Sequence, residues 1–158
     1  MSKITPCLWY KDEAEEAACF YTSIFPDSHI DSSYRSLVDS PGGKAGDLML
    51  VEFTIGGQKM QALNGGMHFE YTHAISMVFE CEDQAELDRI WDALLAGGEP
   101  EQCGWLRDRY GMNWQIVPKG MAQYLSASDP AASTRAMAAV TQMVKLDIAS
   151  IESAYAGK

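Results

Sequence analysis

The sequence predicts an α+β fold built from two βαβββ modules followed by a C-terminal helix, and three observations predict it. The chain nearly repeats its own beginning: Ile4-Thr5, Asp12-Glu13-Ala14-Glu15 and Phe20 recur as Ile75-Ser76, Asp83-Gln84-Ala85-Glu86 and Trp91, at a constant offset of 71 residues, and Ile24 meets Leu95 at the same offset. Within each copy, apolar residues first alternate with period two, as on a strand, and then follow helical spacing. Glycine pairs then punctuate the alternating runs, as hairpin turns do. A unit present only twice is not a solenoid, which needs three or more. It is one α/β module duplicated, and the place where two such modules face each other is the natural ligand cleft.

Taken in order, residues 4–10 read as a strand, with Thr5, Cys7 and Trp9 on one face and Ile4, Pro6, Leu8 and Tyr10 on the other. Asp12 is expected to cap a helix to about Phe25, with Glu13, Glu15 and Glu16 in its first turn, where the helix dipole favours acids. Ala17, Phe20, Tyr21 and Ile24 form its apolar stripe, and Pro26-Asp27 ends it. Residues 28–38 fit a second strand, and the glycines around Pro41 and Asp47 a loop. Leu48 to Ile55 is a strong strand with Met49, Val51, Phe53 and Ile55 on one face; Gly56-Gly57 turns the chain and Gln58 to Leu63 returns antiparallel. The second copy opens with Ile75 to Cys81. Asp83 caps a helix to about Leu95, with Leu87, Ile90, Trp91, Leu94 and Leu95 facing the core and Gly97-Gly98 at its end. Gln102 to Arg107 and Met112 to Val117 are strands around a turn at Tyr110-Gly111. Pro130 starts a single amphipathic helix to about Tyr155, striped by Met137, Val140, Val144, Ile148, Ile151 and Tyr155.

At 158 residues one domain is the default, with modules at about 1–66 and 73–118 and a helical segment at about 119–156. The net charge of −10 argues against nucleic acid as a partner, because phosphate binding needs clustered Lys and Arg. No apolar run approaches the roughly 20 residues of a membrane-spanning helix, and the first residues lack the apolar core of a signal peptide. A cytoplasmic protein is expected. Cys7, Cys19, Cys81 and Cys103 form no Cys-x-x-Cys pair and no zinc spacing, so reduced filler residues are the simplest reading.

Ile4-Thr5-Pro6 through Phe20-Tyr21, Ile24-Phe25-Pro26-Asp27-Ser28, Trp91-Asp92-Ala93-Leu94 with Gly97-Gly98, Gly104-Trp105-Leu106-Arg107-Asp108, and Gly111 with Trp114-Gln115-Ile116-Val117-Pro118 together resemble the vicinal oxygen chelate superfold. Within it the chain is most similar to the PhnB-like, 3-demethylubiquinone-9 3-methyltransferase-like branch, and Lys145-Leu146-Asp147-Ile148 also fits. The resemblance implies a glyoxalase-like domain whose modules form a curved mixed sheet. It also implies a homodimer and, in the enzymes of the superfold, a divalent metal held by His, Gln or Glu from the first and last strands of each module. The matching positions here are Thr5 and Gln61 in the first module and Ser76 and Gln115 in the second; each glutamine lies four residues past a turn glycine, Gly57 or Gly111.

Hydroxyls and neutral amides at those positions offer a divalent ion no charge compensation, so no tight metal and no cofactor are expected. The same groups suit a small neutral or anionic organic ligand. The candidate ligand-binding residues are therefore Thr5, Cys7, Trp9, Gln61, Ser76 and Gln115. Trp9 serves equally as a stacking wall or as a packed core residue. Cys7 reads more simply as a small filler than as a nucleophile. His73, three residues before Ser76, keeps open a metal-dependent lyase, isomerase or dioxygenase, whereas His68 lies in a linker positioned to fold over the cleft. Glu52 and Glu80 lie on strands, where a buried carboxylate can act as a base and a solvated one is commoner. Arg107-Asp108 reads as a turn pair or a salt bridge. A methyltransferase, as the branch's label says, would ordinarily carry a glycine-rich turn after the first strand of a doubly wound sheet, and none is present. A third class is an accessory protein that uses its helical surface.

Overall fold

The computed structural model describes residues 3–126 and 128–158. The chain divides into two units, Met1–Glu70 and Tyr71–Lys158. The first contains β1 (Cys7–Tyr10), α1 (Ala14–Ile24), β2 (His29–Arg35), β3 (Leu48–Ile55) and β4 (Gln58–Asn64). The second contains β5 (Met77–Cys81), α2 (Gln84–Leu95), β6 (Glu99–Pro100), β7 (Trp105–Arg107) and β8 (Asn113–Pro118), followed by a 3₁₀ turn (Met121–Leu125), α3 (Pro130–Val140) and α4 (Ile148–Tyr155). This is the expected βαβββ order, twice. The strands form two four-stranded mixed sheets, one per unit, ordered β1-β4-β3-β2 and β5-β8-β7-β6. In each, the first strand pairs parallel with the last and the remaining pairs are antiparallel.

In the first unit, α1 covers one sheet face. Ala14, Ala17, Ala18, Tyr21 and Ile24 are buried against it, together with Leu8, Tyr10, Val51, Phe53, Met60 and Ala62 of the strands. Tyr21 stacks on Phe53 with ring centroids 6.5 Å apart. Alternation then places Cys7, Trp9, Leu50, Glu52, Gln61 and Leu63 on the opposite face, which no helix among the described residues of this unit covers. The β3–β4 turn has Gly56 and Gly57 at φ +52° and +78°, the doubly left-handed conformation that a two-residue hairpin needs. In the second unit Leu87, Ile90, Trp91 and Leu94 of α2 are buried with Leu106, Trp114 and Ile116, and Gln115 and Trp105 lie on the other face.

Two local expectations are corrected. Asp12 does not cap α1: the Ala14 N–H donates instead to Asn64 Oδ1 at 2.9 Å, from a strand fifty residues away. Asp83 does cap α2, accepting from the Glu86 N–H at 2.8 Å, and Glu86 reaches back to accept from the Glu82 N–H. The C-terminal helix is two helices. The backbone N–H groups of Cys103 and Gly104 donate to the carbonyls of Met143 and Val144, drawing those acceptors out of a helical ladder. Asp147 then caps a new helix through the Ser150 N–H at 2.7 Å, and Gln84 bridges the break by donating to Leu146 O and accepting from the Ile148 N–H. Leu146 is buried in the break, whereas Val144 of the expected stripe is 40% exposed. Arg107 forms an ion pair with Glu99, and Asp108 turns inward to Trp114.

Candidate functional site

The open face of the first sheet is organised by its register. Cys7 sits beside Gln61 on the parallel ladder, Gln61 faces Glu52 on β3, and Glu52 faces Ser32 on β2. The next rung on this face runs Trp9, Leu63, Leu50, Tyr34. Gln61 donates from Nε2 to Glu52 Oε1 at 3.1 Å, and Tyr34 donates its hydroxyl to Glu52 Oε2 at 3.0 Å. Glu52 is thus the hub of this face. It was visible in the sequence as a strand carboxylate, but its pairing with Gln61 depends on the hairpin register, and Tyr34 carried no signal at all.

Trp9 is half-buried, and the segment after β4 explains why. Gly65 lies flat against its indole, so that a Cβ at that position would overlap the ring. The indole N–H donates to Met67 O at 2.8 Å, and Phe69 meets the ring edge-on at 5.4 Å between centroids. The linker that carries His68 therefore folds over Trp9, at one end of the open face. Thr5 lies before β1 and is exposed; Pro6 O, next to it, accepts from the Gln61 N–H. Partial burial raises the Cys7 thiol above its ordinary value, which disfavours the nucleophilic thiolate.

The second unit repeats the pattern with different side chains. Gln115 faces Val78 on β5 and Trp105 on β7, as Gln61 faces Cys7 and Glu52. Trp105 therefore occupies the rung that Glu52 holds in the first module. Gln115 donates from Nε2 to Ser76 Oγ at 2.9 Å, bringing together two of the residues expected from the sequence. Ser76 stands just before β5, as Thr5 stands before β1. His73 is directed elsewhere: its Nε2 lies 2.8 Å from Glu101 Oε1.

The superfold's divalent metal does not fit these residues. The glutamine amides are engaged with Glu52 and Ser76, Glu52 is the one carboxylate on the first sheet's glutamine rung, and among the described residues no imidazole bonds to either glutamine. Among the described residues no three His, Cys, Asp or Glu side chains converge in the way a metal centre requires. Among those residues, too, no helix is long and apolar enough to cross a membrane.

Comparison with known proteins places this geometry in context. The family described as "3-demethylubiquinone-9 3-methyltransferase" matches residues 2–117. A structure titled putative 3-demethylubiquinone-9 3-methyltransferase, PhnB protein, from Bacillus cereus is 33% identical; the match covers 74% of this chain and 99% of that one, with a TM-score of 0.67. A protein from Pseudomonas aeruginosa is 21% identical over 72% of this chain and 95% of its own, TM-score 0.54. The fosfomycin resistance protein FosX from Listeria monocytogenes, solved with Mn(II) and sulfate, is 18% identical over 79% of this chain and 98% of its own, TM-score 0.59. These last two likenesses are of fold. No curated protein matches the sequence.

Proposed function

Because the chain belongs to the 3-demethylubiquinone-9 3-methyltransferase family, within the vicinal oxygen chelate superfamily, we propose that it binds a small organic ligand on the open faces of its sheets without a tight metal. The observation that carries this reading is the pair of glutamines at equivalent rungs. Gln61 is fixed by Glu52 and Gln115 by Ser76, each through its amide nitrogen. Each amide oxygen is left to accept from a ligand, and Cys7, Trp9 and Thr5 flank the first site. Preorganised polar groups beside aromatic and aliphatic side chains are what a small-molecule site requires. The family label of methyl transfer finds little support in the backbone. β1 enters α1 through Lys11-Asp12-Glu13, and β5 enters α2 through Glu82-Asp83, with no glycine-rich turn at either crossing. The same reading has the protein act in the cytoplasm as a homodimer.

The test combines metal analysis with ligand screening. Protein purified without chelator should hold far less than one equivalent of zinc, nickel, manganese or iron; a stoichiometric ion would overturn the metal-free reading. In a thermal-shift screen of small organic molecules, responses of the wild-type chain should weaken in Gln61→Ala and Gln115→Ala. Responses that survive both substitutions intact would remove the site assignment.

A further inference from the structure

We propose that the open face of the first sheet takes an organic ammonium group, with Glu52 as its counter-ion and the surrounding aromatic and aliphatic side chains as its wall. This rests on the reading that the open faces bind small molecules, and it supplies the charge of the ligand.

Glu52 lies on β3, an interior strand, and is half-buried. Among the described residues no cation lies within ion-pair distance of it. The basic groups on the flanking strands are engaged elsewhere: Lys59 and His29 lie 3.7 and 3.3 Å from Asp31, and the Arg35 guanidinium donates to Gly46 O at 3.0 Å. The two groups that hold Glu52, Gln61 and Tyr34, are neutral. They fix the carboxylate and do not balance its charge. A partly desolvated carboxylate without a counter-ion is costly, and a ligand that brings the missing positive charge recovers that cost.

The carboxylate also has room for such a ligand. Each oxygen accepts one bond from within the sheet, leaving further lone pairs on both. An ammonium is a donor-only group, matched to an acceptor-only one, and charge-assisted bonds are roughly twice as strong as neutral ones. The neighbouring rung offers Tyr34 beside Leu50 and Leu63, with Trp9 under the linker at its far end, and aromatic faces attract cations. An anion would meet Glu52 as a like charge. The second module lacks this feature, because Trp105 stands where Glu52 does. The charge preference is therefore written into the first module alone.

The experiment uses the full chain and three probes of similar shape: phenethylamine, 2-phenylethanol and phenylacetate. Binding is read from NMR shifts of the Trp9 indole N–H and the Gln61 and Gln115 side-chain amides. Phenethylamine should shift the Trp9 and Gln61 signals with a Kd at least tenfold below that of the alcohol, and phenylacetate should bind more weakly than either. Raising the salt from about 0.05 to about 0.5 M should narrow the gap between amine and alcohol. Glu52→Gln, which keeps the side chain's shape but removes its charge, should abolish the gap between amine and alcohol. Equal affinities for amine and alcohol, or a gap that ignores salt or survives Glu52→Gln, would overturn the charge inference and leave small-molecule binding standing. If no probe moves any of these signals, both readings fall. The salt dependence of the wild-type chain decides the matter even if the variant does not fold.

Discussion

Asp108 and Trp114 are joined by a buried hydrogen bond, in which the indole N–H donates to Asp108 Oδ2 at 2.8 Å. The other carboxylate oxygen accepts from the backbone N–H groups of Tyr110 and Met112 at 2.8 and 3.1 Å. One side chain thus closes the β7–β8 turn and anchors the core tryptophan next to Gln115.

Asp108→Ala removes these three bonds, including the one to the buried Trp114 indole N–H. The expected cost is about 2–4 kcal/mol of unfolding free energy, measured by urea denaturation. Asp108→Asn, which keeps an acceptor oxygen, should cost less. A loss below about 0.5 kcal/mol for the alanine variant would show that the turn holds without its carboxylate.

Asn64 joins the end of β4 to the start of α1, accepting from Ala14 N–H and donating to Leu48 O at 3.1 Å. Asn64→Ala should destabilise by about 1–3 kcal/mol, the range for losing a cap together with a buried acceptor. Hydrogen exchange should accelerate first at Ala14 and its neighbours in α1. Unchanged protection there would mean that the helix start does not depend on this side chain.

Gly65→Ala places a methyl group where the Trp9 ring lies. The linker must lift, breaking the indole bond to Met67 O and the edge contact with Phe69. Trp9 should become more exposed, read as a downfield-to-random-coil change of its indole N–H resonance. An unchanged resonance would show that the strand and linker part without disturbing the ring.

The thiols of α1 and β5 should react in a set order. Cys19 is exposed on α1, whereas Cys81 is fully buried and its thiol is pushed up to about 12, first by that burial and then by Glu86. With iodoacetamide at mildly alkaline pH, mass spectrometry should find Cys19 alkylated early and Cys81 only after denaturation. Early modification of Cys81 in the folded chain would contradict its placement.

Asp31 is held below its ordinary carboxylate value, first by the Thr54 hydroxyl, which donates at 2.8 Å, and then by the charges of Lys59 and His29. A carboxylate lowered by folding adds stability above its unfolded value of about 3.8, and that contribution disappears as pH falls through the folded value. Thr54→Val should raise the Asp31 titration midpoint and flatten the acid limb of the stability curve below about pH 4. An Asp31 midpoint unmoved by the substitution, followed by carbon NMR, would assign the shift to the cations instead.

Much of this architecture was legible along the chain. The 71-residue repeat gave the module and its duplication, while Gly56-Gly57 gave the hairpin and Asp83 the second helix start because these two rest on local chemistry within a few residues. Counting four residues from Gly57 and Gly111 picked out two glutamines that stand at equivalent rungs of their sheets, each between the first and third strands of its module. Where the local signal had a distant rival, the reading failed. Asp12 is a good cap by type, yet Asn64 holds the position. The stripe from Met137 to Tyr155 has helical spacing, yet the N–H groups of Cys103 and Gly104 claim its middle carbonyls.

By itself, then, the sequence determined which residues share a strand or a helix and which face of each is apolar, because those follow from side-chain size, polarity and period. Tertiary structure alone decided that Gln61 is tied to Glu52 and Tyr34, and Gln115 to Ser76. Those partners are brought together by ladders between strands distant in the chain. A hydrogen bond forms only where pairing places donor and acceptor about 3 Å apart.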